Sequence, residues 1–376
     1  MKRHKETGKA KAAVVRAVRP SHVPLKRRKT ELADRIITLV EEAKRRVVSA
    51  VNVALVYTYY EVGRMIVEEE QGGKKRAQYG KAQLQELSKK LTAQLGKGFS
   101  VDNLQNMRNF YIVYSSTEIY EKPSRKLTER NHETVSRKSS DPKFILSWSH
   151  YLKLMRIDDV DERRFYEIEA AENHWGLKEL QRQFDSALYQ RLALSRDKAR
   201  ALALAKRGQL VEKPEDVIKE PYVLEFLGLP EKATYSESEL EQRLIDHLRD
   251  FLLELGKGFA FVGRQVRITF NEHHFWIDLV FYNRFLRCFV LFDLKIGELK
   301  HQDIGQMQMY VNYYDRKVKM PDENPTIGIL LCADKNDAIV EMTLPQGAKR
   351  IFASKYMTVL PDKETLRGLV LKQLED

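Results

Sequence analysis

A chain of 376 residues with a 43% hydrophobic fraction is long enough for two packed domains and excludes global disorder. It has no run of the roughly 18 uninterrupted apolar residues that a membrane span needs, no apolar signal-like segment follows the start, and its two cysteines, Cys288 and Cys332, lie in apolar runs. A cytoplasmic protein with no membrane partner and no disulfide framework is expected. The formal net charge is +12, but the first 30 residues hold eleven Lys and Arg against one Glu, so ten of those charges belong to one terminal segment and the rest of the chain is nearly neutral.

Residues 1–29 lack sustained periodicity and read as a basic disordered arm, able to neutralise phosphates or to remain a solvated tail. From about Thr30 the pattern becomes helical. Leu32, Ile36, Leu39, Val40, Ala43 and Val47 recur at spacings of three and four, and the run continues through VNVALVYTYYEVGRMIVEEE to Gly72-Gly73, giving one or two long helices. These apolar helices would also serve a homo-oligomer. The next segment carries Leu84, Leu87, Leu91 and Leu95 on one face. A glycine turn follows, with Ser100 as N-cap, and then a helix with Leu104, Met107, Tyr111 and Tyr114 inward. Helix, glycine turn, helix is the outline of a helix-turn-helix. Asn103, Asn106 and Arg108 on its outer face are side chains that can contact DNA, unless the pair is an ordinary αα-hairpin with a polar surface. Residues 120–143 are polar and broken by Pro and Ser, and read as a mobile loop. Helical periodicity then resumes, with Trp148 and Trp175 read as core. Residues 30–205 thus form an all-α domain, 206–222 a linker, and 223–376 an α/β domain with a mixed sheet.

That second domain opens with a helix, SESELEQRLIDHLRDFLLELGKG, followed by three strand-like runs, FAFVGRQVRITF, HFWIDLVFYN and LRCFVLFDLK, with His273-His274 in the turn between the first two. A helix over about 301–316, two more strand-like runs and a terminal helix from near Asp362 complete it. Asp278, Asp293 and Lys295 stand in the most apolar part of the chain, where charges are costly unless they are paired or hold a metal. Strand side chains alternate faces. With Arg284-Phe285 as a two-residue turn, Asp278 pairs with Leu291 and Asp293 is its diagonal neighbour on the same face; with Asn283-Arg284 as the turn, the two aspartates still share a face. A one-residue slip would separate them.

Two carboxylates beside a lysine make a site for a hard cation, magnesium or alternatively manganese, that polarises a phosphoryl group, while Lys295 orients water and offsets developing charge. Glu241 falls on the apolar stripe of Leu244, Ile245, Leu248 and Leu252 and is the third candidate metal ligand; a capping box with Ser238 is the other reading. Gln306 and Tyr310, one helical turn apart, would face the same site and touch substrate. No glycine-rich phosphate loop is present, so no small-molecule cofactor is expected.

Asp278 followed by Asp293-Leu294-Lys295 resembles the PD-(D/E)XK nuclease signature, and Glu241 and the Gln306/Tyr310 pair extend the likeness toward its RecB-like branch. More specifically, the run from RQVRITF to HQDIGQMQMYVN, together with YYEVGRMIVEEE and YGKAQLQELSKKLTAQLGKGFSVDNLQNMRNFY, resembles the YhcG-type family of bacterial proteins from about residue 30 onward. Ile277 stands where the signature has Pro, and the shorter Asp293 where Glu is expected. The resemblance implies a restriction-endonuclease-like mixed β-sheet flanked by helices behind an all-helical N-terminal domain. It also implies a metal-dependent DNA endonuclease with Asp278, Asp293, Lys295 and Glu241 as its site. The alternative is a catalytically weak nuclease fold that binds DNA as a scaffold through the helical domain and arm.

Overall fold

In the computed structural model the described residues are 26–72, 77–115, 144–232, 234–270, 272–344 and 350–375; the 120–143 segment and most of the basic arm lie outside them. The chain divides into two compact units, residues 1–54 and 55–376.

The helical part comprises α1 (Lys26–Gly72), α2 (Ala77–Leu95), α3 (Val101–Ser115), α4 (Trp148–Leu154), α5 (Val160–Glu172), α6 (Leu177–Asp185), α7 (Leu188–Leu194) and α8 (Lys198–Arg207). The expected one or two helices over 30–70 are a single helix beginning at Lys26. Ser100 caps α3 as its residue type predicts, with its hydroxyl accepting from Asn103 N at 3.2 Å. Ring stacking holds this part together: Phe110, Phe144 and Tyr151 are fully buried, and the Phe110 and Phe144 centroids are 4.8 Å apart. Gly63 of α1 must be glycine, because a Cβ there would lie 2.1 Å from the Met107 carbonyl oxygen of α3.

The sheet part comprises β1 (Tyr222–Val223), α9 (Glu237–Asp246), α10 (Leu248–Leu255), β2 (Phe259–Phe270), β3 (His273–Asn283), β4 (Cys288–Glu298), α11 (His301–Tyr313), β5 (Ile327–Asp334), α12 (Asp337–Thr343), β6 (Ile351–Met357) and α13 (Lys363–Glu375). Its six strands run β1-β6-β5-β4-β3-β2. The β2-β3-β4 pairs are antiparallel, and β4 pairs parallel with β5, β5 with β6 and β6 with β1, so the sheet is mixed. β4 is central and covered on both faces, which is why its sequence is nearly continuous in apolar residues. One face packs Leu279, Phe281 and Phe292 against Leu244 of α9 and Phe251 of α10. The other packs Val280, Leu291 and Leu330 against Met307 and Val311 of α11.

Several local expectations are corrected. The helix predicted before the hairpin is broken at His247, whose non-helical backbone ends α9 and starts α10. His273 and His274 begin β3 instead of forming the turn. Part of the stretch read as linker supplies the edge strand β1, paired with β6.

Contacts at α13 and at Glu254 are among those that tie the helical and sheet parts of the second unit together. The terminal helix α13 returns to the helical core: Val370 is buried with Leu192 and Leu204, and Lys363 pairs with Glu162 at 2.6 Å. Glu254 of α10, fully buried, accepts from Arg191 of α7 at 2.6 Å and Arg182 of α6 at 3.0 Å, as well as from Val223 N at 3.0 Å.

Candidate active site

The hairpin that carries the charges has a longer turn than predicted. Asn283 pairs with Cys288, leaving residues 284–287 as a four-residue connection. Asn283 builds it, its side-chain oxygen accepting from Phe285 N at 3.0 Å and Leu286 N at 3.1 Å. The change of register is an even number of residues, so the faces are preserved. Continued one residue past the Leu279–Phe292 pair, this register sets Asp278 opposite Asp293, in place of the diagonal relation expected from a two-residue turn.

The strands part at this level. The β3-β4 ladder stops at Leu279–Phe292, while β4 continues against β5 through the Lys295–Cys332 pair. Beyond the last ladder pair, the Asp278 carboxylate takes the place of a strand partner, its Oδ2 accepting from Leu294 N at 2.8 Å. The site therefore occupies the fork of the hairpin.

Asp293 is 2% exposed. Its Oδ2 lies 2.9 Å from Lys295 Nζ, and Glu237 Oε2 of α9 is 4.0 Å from the same ammonium. Burial, followed by the negative charge of Asp278, pushes the Asp293 carboxyl up to about 7, against the lowering influence of Lys295. Burial alone would lower Lys295, but the negative charge of Asp293 outweighs it and the ammonium is held above its ordinary range.

Glu241 is buried as its place on the apolar stripe predicts. The cap belongs to Ser236, whose hydroxyl accepts from Glu239 N at 3.1 Å, so Glu241 has no capping role. It reaches Asp278 through a residue that sequence reasoning missed. Gln265 of the edge strand β2 donates through one amide nitrogen to Glu241 Oε2 and to Asp278 Oδ1, at 3.0 Å in the latter case. It does so from a left-handed backbone, φ 46°, an unusual conformation for a non-glycine residue inside a strand. Alternation of side chains could not have marked it, because that conformation breaks the alternation. Arg264 adds a cation 3.1 Å from Glu241. Burial first, and then Asp278, raise the Glu241 carboxyl, opposed by Gln265 and Arg264.

Tyr310 and Gln306 sit behind the site. The buried Tyr310 hydroxyl donates to Trp276 O at 2.8 Å, two residues before Asp278, and Gln306 donates to that hydroxyl. They hold β3 from α11 and do not bond the carboxylates. Asn103, Asn106 and Arg108 are not brought to this site; they lie on α3. Arg108 is paired with Glu70 at 2.7 Å, and Asn103 bonds Gly98 O and accepts from Trp148 Nε1.

The chemistry of the donor set fits a cation. Two carboxylates repel at the fork, and the buried Asp293 Oδ2 and Glu241 Oε1 accept no well-directed hydrogen bond, although Lys295 and Arg264 lie near them. Among the described residues, no three His, Cys, Asp or Glu side chains stand together as a ready ligand set, so the fit rests on the Asp278/Asp293 pair, with Glu241 joined to Asp278 through Gln265. Among the described residues, no helix is long and apolar enough to cross a membrane.

The fold is thus a mixed sheet with an acidic pair and a lysine at the hairpin fork, behind a helical N-terminal region. Residues 215–370 match the YhcG PDDEXK nuclease domain, and residues 35–191 match the DUF1016 N-terminal domain. The chain is 40% identical over 350 residues to "Putative nuclease YhcG" of Escherichia coli (strain K12), covering 89% of this chain and 92% of that protein. The chain belongs to the YhcG family of nuclease-domain proteins. Among solved structures, a repair endonuclease from Pyrococcus abyssi is 18% identical with a TM-score of 0.23, over 34% of this chain and 49% of that one. The apo form of EndoMS is 15% identical with a TM-score of 0.23, over 34% and 48%. The chain spans about half the length of these two structures, and likenesses at that TM-score carry no weight.

Proposed function

We propose that the chain is a magnesium-dependent DNA endonuclease that hydrolyses phosphodiester bonds at the hairpin fork. The observation that carries this reading is the opposition of Asp278 and Asp293 with Lys295 Nζ 2.9 Å from Asp293. Asp278 and Asp293 would hold the ion, manganese being the alternative, with Glu241 as the outer member of the acidic set. When bound, the ion would supply Lewis-acid polarisation of the scissile phosphoryl group. Lys295 stabilises the charge that develops on the phosphoryl oxygens and orients the attacking water. Tyr310 and Gln306 keep β3, and with it Asp278, in place. The basic segment at the start of the chain supplies phosphate affinity that the nearly neutral remainder lacks.

The test is cleavage of linear, covalently closed circular and branched DNA with magnesium or manganese, comparing the wild type with Asp293→Ala. Cutting of the closed circle by the wild type, lost in the variant, is the expected result. DNA binding without cleavage under either metal would instead make the fold a scaffold, and equal cleavage by the variant would remove the site.

Gln265→Leu keeps the size of the side chain and removes the donor shared by Glu241 and Asp278. Loss of an outer partner of metal-holding carboxylates costs on the order of 10–100-fold in affinity. Calorimetric titration with Mn²⁺ is expected to show a dissociation constant raised by about tenfold or more. An unchanged constant would reduce Gln265 to a residue of the sheet edge.

A further inference from the structure

Beyond the fork, the hairpin of β2 and β3 has two unlike faces. Phe275 and Ile277 of β3, with Val266, Ile268 and Phe270 of β2, pack into the core beneath α11. Trp276, between Phe275 and Ile277, points away from that core and is 47% exposed, whereas Trp148 and Trp175 both pack against the helical core. An indole left in water forgoes the burial that so large an apolar ring usually gains. The ring is nevertheless held in place. The carbonyl of Trp276 accepts from the Tyr310 hydroxyl at 2.8 Å, and the His274 ring stands edge-on to the indole with centroids 6.3 Å apart. Thr269 of β2 fixes that imidazole through a 3.0 Å hydrogen bond. Directly across the ladder from Trp276 is Arg267. Arg264 is paired with Glu241, but Arg267 has no carboxylate partner among the described residues. The next side chain on the same face of β3 is Asp278, about 6.6 Å further along the strand.

We propose that Trp276 and Arg267 form a subsite for one unpaired nucleotide of the DNA strand that lies at the fork, its base stacking on the indole and its phosphate meeting the guanidinium. The chemistry of the two groups selects this occupant. An indole offers a π-face to any base, and an unpaired arginine offers a planar fork of donors to a phosphate. A base inside a duplex has both faces covered by its neighbours and cannot use the ring. The indole is one strand repeat from Asp278, so a nucleotide on it adjoins the phosphate at the fork. The substrate class is thereby narrowed to DNA with a single-stranded stretch beside the cut. The inference rests on the nuclease reading for the place of the scissile phosphate, but the binding it requires needs neither metal nor turnover.

Fluorescence anisotropy of the full chain in EDTA tests the subsite without cleavage. The probes are a labelled blunt duplex, the same duplex with a thymidine tail at its 3′ or its 5′ end, and the same tails made abasic. The quantity read is the ratio of blunt to tailed dissociation constants, which a misfolded fraction of a variant does not change. The wild type is expected to favour a thymidine tail at one of the two ends by about tenfold, within the range of one base stacked on an aromatic ring, and to lose that preference when the tail is abasic. Trp276→Leu keeps apolar bulk without the ring and is expected to bring the ratio near one, and Trp276→Phe is expected to restore most of it. Arg267→Gln is expected to weaken tailed DNA and to lower the slope of its salt dependence by about one. Equal wild-type affinity for thymidine and abasic tails, or a Trp276→Leu ratio equal to the wild type, would overturn the proposal and leave the indole to a protein contact. The nuclease reading fails separately: a Trp276-dependent tail preference without cleavage under magnesium or manganese keeps the subsite and removes the nuclease, and cleavage without a tail preference does the reverse.

Discussion

Replacing Lys295 with methionine is expected to lower the rate of DNA cleavage by roughly 10²–10³-fold, the usual cost of losing one preorganised donor to a charge that develops in the transition state. Methionine keeps much of the stem length and removes the ammonium. In the structure that ammonium is the one cation within 4 Å of Asp293 among the described residues, and Glu237 is a weaker second partner at 4.0 Å. Loss of the ammonium also takes away the group that lowers the Asp293 carboxyl. Single-turnover cleavage at saturating Mn²⁺ separates the two consequences. A lost metal affinity would be restored by raising the metal concentration, whereas a lost transition-state contact would not. Lys295→Arg keeps the charge but changes its geometry, and is expected to recover only part of the rate. If Lys295→Met cut DNA at the wild-type rate, the lysine would be a counter-ion for the acidic pair alone.

Glu254→Ala is expected to destabilise the second unit by about 3–5 kcal/mol, because it leaves the buried Arg191 and the half-buried Arg182 facing an uncompensated cavity. Arg191 and Glu254 are both fully buried, and the carboxylate also accepts from Arg182 and from Val223 N. The same network predicts an acid limit. Burial alone would raise the Glu254 carboxyl, but Arg191, Lys219 and Arg182 reverse this and hold it down to about 2. A carboxyl depressed in the folded state contributes stability that is fully present above its ordinary value near 4.5 and is lost as pH falls from there toward about 2. Urea unfolding of wild type and variant between pH 3 and 7 measures both effects. The gap between them should be widest near neutrality and should narrow in acid. A gap below about 1 kcal/mol at pH 7, or one that widens in acid, would mean that the charges are paired and solvated in another way. Glu254→Leu with Arg191→Met should recover part of the loss, since replacing both members of a buried pair by apolar groups removes the unpaired charge.

The site was legible from sequence where its signal was local. Asp278, Asp293 and Lys295 stand out as charges in strands that are otherwise apolar, and period-2 alternation puts them on one face for any even change of register. Glu241 stands out because period 3.6 places it on a buried stripe, and the nearby Ser236 accounts for the cap. Gln265 was not legible. It lies in an exposed edge strand, and its left-handed backbone turns its amide toward Glu241 and Asp278 in a way that no spacing rule anticipates. Gln306 and Tyr310 were found by helical spacing, but only the packing of α11 on the sheet shows Tyr310 committed to Trp276 O.

By itself the sequence determined the division into a helical part and an α/β part, the choice of Asp278, Asp293 and Lys295 as the candidate site, and the family resemblance. Each of these depends on periodicity or on charge in an apolar run, which are properties of neighbouring residues. Only the tertiary structure decided that Asp278 and Asp293 stand level with each other, because that follows from the four-residue turn built by Asn283. It alone decided that Gln265 joins Glu241 to Asp278, that Glu254 lies on a buried seam with Arg182 and Arg191, and that α13 returns to the helical core. These contacts connect residues far apart in the chain, and their energies depend on burial and on distances that local patterning does not encode.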